Sequence, residues 1–162
     1  MASWRRLWNL SWAERWLLAQ AVALLPLTAV ALWAVGFRRW QTLLSRLAPA
    51  NAPLSPGGEG RVRGTEAAVL REGRAAARLV EAAARRGPYR ASCLPRSLTL
   101  WWLLRRRGID SELRIGVRKE TGRLDAHAWV ELRGEVLNDG ADVRERFAAF
   151  EQPILCGEEM VR

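Results

Sequence analysis

A run of 22 residues without a charge, Trp16 to Phe37, constrains the fold of this chain more than any other feature. The run is long enough to cross a bilayer as a helix, and arginines stand on both sides of it. Pro26 lies near its middle, where a proline predicts a kink or a split in the helix. Two structures therefore stay open: a membrane-spanning helix, or a broken helical hairpin packed against the rest of the protein or a partner. The run is longer than a signal-peptide core, and no A-x-A cleavage site follows it.

The residues before this run predict where its helix begins. Ser11 and Glu14 have the spacing of a capping box, in which each side chain accepts a hydrogen bond from the backbone amide of the other. Tryptophans recur at every fourth position here and resemble a stripe on one helical face, at Trp4, Trp8, Trp12 and Trp16. The cap at Ser11 would divide that stripe, so the repeat indicates either docking onto a partner or membrane, or chance.

Composition narrows the class of protein without choosing one. Hydrophobic residues make up 49% of the 162 residues, which is enough for a folded core. Lys and Arg number 26 against 17 Asp and Glu, and the net charge of +9 suits nucleic acid, anionic lipid or an acidic peptide. Because no basic helix with base-reading residues and no aromatic RNA-binding motif occurs, we expect no nucleic acid partner.

A segment rich in Pro and Gly divides the chain. Residues 51–64 (NAPLSPGGEGRVRG) are typical of a flexible linker. We therefore expect a hydrophobic, Trp-rich helical segment over residues 1–50 and one domain over residues 65–162.

Two helices are predicted at the start of that domain. The first can be capped by Thr65 and runs to about Arg86, where a Gly-Pro dipeptide stops it. The second begins at Cys93, because Ser92 is a suitable N-cap and a proline in the next few residues fits only the first turn. A helix N-terminus carries partial positive charge, which favours the thiolate, the reactive form of cysteine. The alternative for Cys93 is a small buried hydrophobic side chain.

The cysteine and histidine content argues against metal and disulfide chemistry. The chain has two cysteines and one histidine, and a zinc site would need more ligands. Cys93 and Cys156 lie in very different contexts, so we expect no disulfide framework and a reducing, cytoplasmic environment. Cys156, in the C-terminal tail, is interpreted as structural or incidental. No cofactor is expected.

Three strands are predicted after the second helix, over residues 112–119, 125–132 and 135–139. His127 lies in the middle strand and Asp139 at the end of the last one. If Arg133 and Gly134 formed a two-residue turn, the side chains of His127 and Asp139 would point to opposite faces of the sheet. Such a turn without a bulge would count heavily against the triad. A three-residue loop with Gly134 in the left-handed conformation would place them directly opposite each other. Pairing of these two side chains therefore predicts the three-residue loop.

These residues suit nucleophilic catalysis. Cys93 would attack a carbonyl as the thiolate, His127 would exchange protons with it and with the leaving amine, and Asp139 would orient the imidazole. The backbone amide of Cys93 is the expected oxyanion donor, and a second donor is not identified. Papain-type enzymes use a Gln about six residues before the nucleophile; Gly87 stands there, so this donor must differ. A structural role for His127 is the alternative.

Several motifs together resemble one known family. They are CLPRSL, which opens at Cys93, the RRGI…LRIGV stretch, and AHAWVEL followed by LND. In these, and in its hydrophobic N-terminal segment, the chain resembles the lasso-peptide biosynthesis B2 proteins, which are transglutaminase-like leader peptidases. The motif region covers residues 88–150.

The resemblance implies both a fold and an activity. The fold is α+β with a papain/transglutaminase-like core, in which a helix bearing Cys93 packs on a small antiparallel sheet bearing His127 and Asp139. These three residues match the family's catalytic triad. The activity is cleavage of a precursor peptide at the leader–core junction, before a separate lactam synthetase cyclises the core. With a hydrophobic first third, the chain resembles the split form, which depends on a separate leader-recognition protein.

Two alternatives remain from the sequence. An amidase or acyltransferase would use the same three residues, and a non-catalytic, membrane-associated scaffold subunit would not need Cys93. Residues 16–37 could place either kind of protein at a membrane.

Overall fold

The computed structural model describes residues 11–47, 65–87, 89–120 and 122–150, and has an α+β architecture. The helices are α1 (Trp12–Val35), α2 (Phe37–Leu47), α3 (Glu66–Arg86), α4 (Cys93–Arg105) and the single turn α5 (Val143–Arg146). The strands are β1 (Glu112–Glu120), β2 (Arg123–Leu132), β3 (Glu135–Val136) and β4 (Ala148–Ala149). They form one antiparallel sheet in the order β3-β2-β1-β4.

The start of α1 is as the sequence predicts. The amide of Ser11 donates to Oε2 of Glu14 at 2.8 Å, and the amide of Glu14 donates to Oγ of Ser11 at 3.3 Å, which completes the capping box. The predicted split at Pro26 is wrong, since α1 continues through it as one helix. The break comes at Gly36, whose φ of 80° lies in the left-handed region, and α2 begins at the next residue.

One side of α1 packs against α3 and α4. Its buried residues are spaced at three or four positions, at Leu17, Ala21, Leu25 and Thr28. The indole Nε1 of Trp102 in α4 donates to the carbonyl oxygen of Leu44 in α2 at 3.0 Å, which ties α2 to the same core. By length and composition α1 could also cross a membrane, and it is the one such helix in the described part of the chain.

Helix α4 packs on one face of the sheet, and α3 packs beside α4. Thr65 and Ser92 occupy the N-cap positions as predicted, but neither side chain makes a capping hydrogen bond. Helix α3 approaches the sheet closely at Gly73, where a Cβ atom would lie 2.7 Å from a methyl group of Leu132. The glycine that weakens the helix locally therefore allows this helix–sheet contact.

The turn between β2 and β3 differs from the prediction. Leu132 pairs with Glu135, so Arg133 and Gly134 form a two-residue turn. Both have positive φ, 51° and 80°, as a type I′ turn requires. The predicted three-residue loop is wrong, and the third strand ends at Val136 rather than at residue 139.

The segment that follows was not predicted. After Asp139 the chain forms α5 and then β4, which pairs with β1 through Gly116 and Val117. This segment covers the face of the sheet opposite the helices and encloses a second, small core of Trp129, Val143 and Phe147. The division at residues 51–64 and the interpretations of Trp4, Trp8, Pro88 and Cys156 concern positions outside the described residues and stay predictions.

Candidate active site

Cys93 is the first residue of α4, where the sequence places it, and it is half-buried with a free thiol. A carboxylate shared between two helices holds this helix start in place. Glu81 of α3 accepts hydrogen bonds from Arg85 at 2.7 Å and from Arg96 at 2.9 Å. The Nε of Arg96 also donates to the carbonyl oxygen of Ser92 at 3.3 Å, directly before the cysteine.

The charge state of Glu81 suits this role. Burial by itself raises the pKa of a carboxyl group, but hydrogen bonds from Arg85 and Arg96 outweigh it, so the pKa of Glu81 lies below its ordinary value. The ionised form is thus favoured, and the backbone before Cys93 is anchored by an ion pair.

His127 and Asp139 meet, as the triad hypothesis requires. Nε2 of His127 is hydrogen-bonded to Oδ2 of Asp139, and both side chains are largely shielded from solvent, with 22% and 20% exposed. A carboxylate can only accept, so Nε2 carries the proton. Nδ1 is therefore the ring nitrogen that remains to accept or return a proton.

Asp139 is itself held in position. Its Oδ1 accepts hydrogen bonds at 2.6 Å from the amide of Gly140 and from the guanidinium of Arg146. Burial alone would raise the pKa of Asp139, but the Gly140 amide, His127 and Arg146 outweigh it, and its pKa lies below the ordinary value. The lowered pKa favours the ionised carboxylate, which is the form that accepts the hydrogen bond from the imidazole N–H.

The chain leaves the sheet before Asp139, and this explains how the pair forms despite the two-residue turn. Leu137 still donates to the carbonyl oxygen of Val130, at 2.9 Å. The amide of Val130, however, donates to Oδ1 of Asn138 at 2.8 Å instead of to a strand backbone. Since Asn138 ends the ladder, strand alternation no longer governs Asp139. A regular hairpin as far as residue 139, from which opposite faces were predicted, does not form.

Asn138 also connects the strand to the cysteine helix. Its Nδ2 donates to Oγ of Ser97 at 2.9 Å, and Oγ of Ser97 donates to the carbonyl oxygen of Ala128 at 2.8 Å. Ser97 is fully buried in α4, one turn after Cys93. Ser97 therefore binds β2 directly at Ala128, and it binds β2 through Asn138 at Val130. These three hydrogen bonds set the position of Asn138, the residue before Asp139.

Two aromatic rings also contact or lie near the imidazole of His127. The ring of Phe147 stacks on His127 with centroids 4.9 Å apart, and that of Trp129 lies 6.3 Å away. Gly116 of β1 is the cross-strand partner of His127 on β2. A Cβ atom at Gly116 would lie 2.9 Å from Trp129 and 3.0 Å from Cβ of Phe147. Glycine at this position therefore allows the β4 segment to approach.

A cleft of about 530 Å³ is lined by all three predicted residues, Cys93, His127 and Asp139. Asn138 also lines it, as do three arginines of α3 and α4, Arg78, Arg85 and Arg96. A thiol, an imidazole with a fixed tautomer and a carboxylate at one open cleft can perform acyl-transfer chemistry on a carbonyl substrate. Among the described residues, no group of three or more His, Cys, Asp or Glu side chains is arranged to hold a metal ion.

The roles of the supporting residues were not predicted from the sequence. Gly116 and Asn138 stand within the LRIGV and LND motifs, but those motifs did not indicate what either residue contacts. Arg146 and Phe147 act through contacts that only the folded chain creates.

Comparisons with known proteins agree with this architecture. The chain is similar to the microcin J25-processing protein McjB of Escherichia coli, with 37% identity over 62 residues that cover 38% of this chain and 29% of that protein. The match thus spans less than a third of the relative's length. No solved structure matches the chain. A family described as the transglutaminase-like superfamily matches residues 31–152, a range that contains Cys93, His127 and Asp139. Because this match covers most of the chain, the protein belongs to the transglutaminase-like superfamily.

Proposed function

We propose that this protein is a cysteine peptidase that removes the leader from a ribosomally made lasso precursor peptide. The observation that carries the proposal is the cleft itself, which is lined both by Cys93, at a helix start, and by the hydrogen-bonded His127–Asp139 pair. The similarity to a microcin J25-processing protein supports the substrate class.

Each residue has a defined step. The Cys93 thiolate attacks the scissile carbonyl carbon, a C–S bond forms, and the carbonyl electron pair moves to oxygen. The backbone N–H of Cys93, at the start of α4, is the proposed donor to that oxyanion. When the oxyanion collapses, the C–N bond breaks and protonated His127 gives its proton to the leaving amine. The leader remains as a thioester on Cys93, and the core peptide leaves with a free amine.

Hydrolysis then restores the enzyme. His127 accepts a proton from a water molecule, which attacks the thioester carbonyl and displaces the Cys93 thiolate. Asp139 keeps the proton on Nε2 throughout, so that Nδ1 performs both transfers.

The proposed reaction involves two partner proteins. A separate lactam synthetase would join the freed amine to a carboxyl side chain of the core. A separate leader-recognition protein would present the precursor, and the reaction would take place in the cytoplasm.

Mass spectrometry of a cognate precursor tests this function. Wild type, with its leader-recognition partner, is expected to release leader and core, while Cys93→Ala and His127→Ala leave the precursor intact. Cys156→Ala is the matched thiol control and should cleave as wild type does. Unchanged cleavage by Cys93→Ala would overturn the proposal and favour a non-catalytic scaffold role.

Acyl transfer is the second candidate, because the same thioester can be captured by an amine in place of water. The match to the transglutaminase-like superfamily is the observation that favours acyl transfer as a second candidate function. Addition of a small primary amine to the cleavage reaction distinguishes the two. A peptidase yields the free leader acid, whereas a transferase yields the leader amide as the main product.

A further inference from the structure

The outward face of α1 is apolar beyond its first turn. The exposed apolar residues on this face recur at three or four positions: Trp12, Trp16, Ala19, Ala23, Leu27, Val30 and Trp33. Trp33 is 89% exposed and Leu27 is 52% exposed. The opposite face is the one buried against α3 and α4, so α1 is apolar on both sides.

The exposed face of helix α3, unlike that of α1, is charged. It packs on the same core, and its exposed positions include Arg71, Glu72, Arg74 and Arg78. Helix α1 has no charged residue after Arg15. A continuous apolar stripe of this length on a folded protein marks a surface that another apolar surface covers.

The chemistry at the two ends of the stripe favours a lipid bilayer as that covering surface. Tryptophan is enriched at the boundary between lipid and water, and Trp12 and Trp33 stand near the two ends of α1. Beyond its C-terminal end lies a groove with apolar residues Val35 and Leu43 beside three cations of α2, Arg38, Arg39 and Arg46. Helix α2 contains no acidic residue. The charge of this groove complements anionic headgroups.

The packing of α1 decides its orientation. If α1 crossed the bilayer, it would carry α3 with its outward charges into the hydrocarbon. A helix that lies in the plane of the interface buries only its outer face. The 24 residues of α1 would then offer a strip about 36 Å long, at about 1.5 Å per residue.

We propose that the outer face of α1, with the arginines of α2, docks the protein in the plane of an anionic bilayer. The proposal is independent of the peptidase activity, since none of these residues lines the catalytic cleft.

Flotation of the full-length protein with vesicles tests the docking. Wild type is expected to float with phosphatidylcholine vesicles that contain phosphatidylglycerol. The double variant Leu27→Gln/Trp33→Gln should lower the partition coefficient about tenfold, because it removes two exposed apolar side chains from the contact. Leu124→Gln is the control, since Leu124 is 73% exposed but lies on β2. Circular dichroism checks that each variant is folded.

A second pair of variants tests the charge. Arg38→Gln/Arg39→Gln should lower binding to the anionic vesicles about tenfold or more and leave binding to pure phosphatidylcholine unchanged. Arg90→Gln/Arg123→Gln removes the same charge from exposed positions elsewhere and should bind as wild type does. The proposal is overturned if wild type does not float, or if the α1 variants float as well as wild type. Self-association that the Leu27→Gln/Trp33→Gln variant abolishes, without flotation, would assign the face to a second copy of the chain instead.

Discussion

Asn138 donates a hydrogen bond to the buried hydroxyl of Ser97 at 2.9 Å, and this contact joins the two halves of the candidate active site. Ser97 belongs to the helix that begins at Cys93, and Asn138 precedes the Asp139 that binds His127. The position of the carboxylate relative to the cysteine helix therefore depends on a bond between two residues that perform no chemistry themselves.

Removal of this contact should slow catalysis and weaken the fold. Asn138→Ala leaves the amide of Val130 without its acceptor and removes the hydrogen bond that the Ser97 hydroxyl accepts, although that hydroxyl still donates to Ala128. The loss should cost about 1–3 kcal/mol of unfolding free energy. Misplacement of Asp139 should reduce kcat for precursor cleavage by up to about 100-fold with a smaller change in KM. Chemical denaturation and steady-state kinetics measure the two effects.

The control for this prediction lies on the same helix. Thr99 is buried, and its hydroxyl has no hydrogen-bond partner within the described residues, so Thr99→Val should change little. Ser97→Ala should resemble Asn138→Ala, and the double variant should cost less than the two single changes added together. Additive losses would show that the two side chains do not act as a unit.

Asp139 should make the stability of the protein depend on acid pH. Its pKa lies below the ordinary 3.8 because the Gly140 amide, His127 and Arg146 outweigh the effect of burial. A carboxyl group with a lowered folded-state pKa stabilises the fold above its unfolded pKa and loses that contribution as the pH falls through the folded pKa. The stability difference between wild type and Asp139→Asn should therefore shrink as the pH falls below about 5.

Urea denaturation of the two proteins at a series of acid pH values measures this difference. Comparison with Asp139→Asn cancels the contributions of other carboxylates, such as Glu131, whose pKa is also lowered: burial opposes ionisation there, but Arg144 and Trp129 outweigh it. A difference that grows with acidity would contradict the assignment.

Gly116→Ala should loosen the aromatic support of His127. The added methyl group would lie 2.9 Å from the Trp129 ring and 3.0 Å from the carbonyl oxygen of Ala148, closer than packed atoms allow. We expect a loss of about 1–3 kcal/mol in unfolding free energy and a lower cleavage rate. Gly122→Asn is the control, because nothing lies within 4 Å of that position and Asn tolerates its positive φ of 82°. Equal losses in both variants would argue against a specific role for Gly116.

The buried carboxylate of Glu131 should be needed for stability. It accepts hydrogen bonds from Trp129 at 2.7 Å and from Arg144 at 2.8 Å, and Arg114 lies 3.6 Å away. Glu131→Gln would turn an amide donor toward these cations, so we expect a loss of about 2 kcal/mol. Thermal unfolding compares it with Glu112→Gln, which changes an exposed carboxylate opposite Glu131 and should be nearly neutral. A larger effect at Glu112 would show that the ion pairs have been assigned the wrong way round.

The sequence by itself determined the features that depend on neighbouring residues. The capping box at Ser11 and the helix start at Cys93 follow from preferences within a few residues, and alternation predicted β1 and most of β2. His127 could be singled out because it is the one histidine in the chain.

Tertiary structure alone decided how these features meet. The two-residue turn at Gly134 would have separated His127 from Asp139 in a regular hairpin, and the pair forms because the side chain of Asn138 replaces a backbone partner and ends the ladder. The β4 segment reaches the imidazole because Gly116, distant in sequence from His127, leaves room for it. Such contacts depend on which buried groups find partners once the helices and sheet have packed, and no local pattern records that outcome.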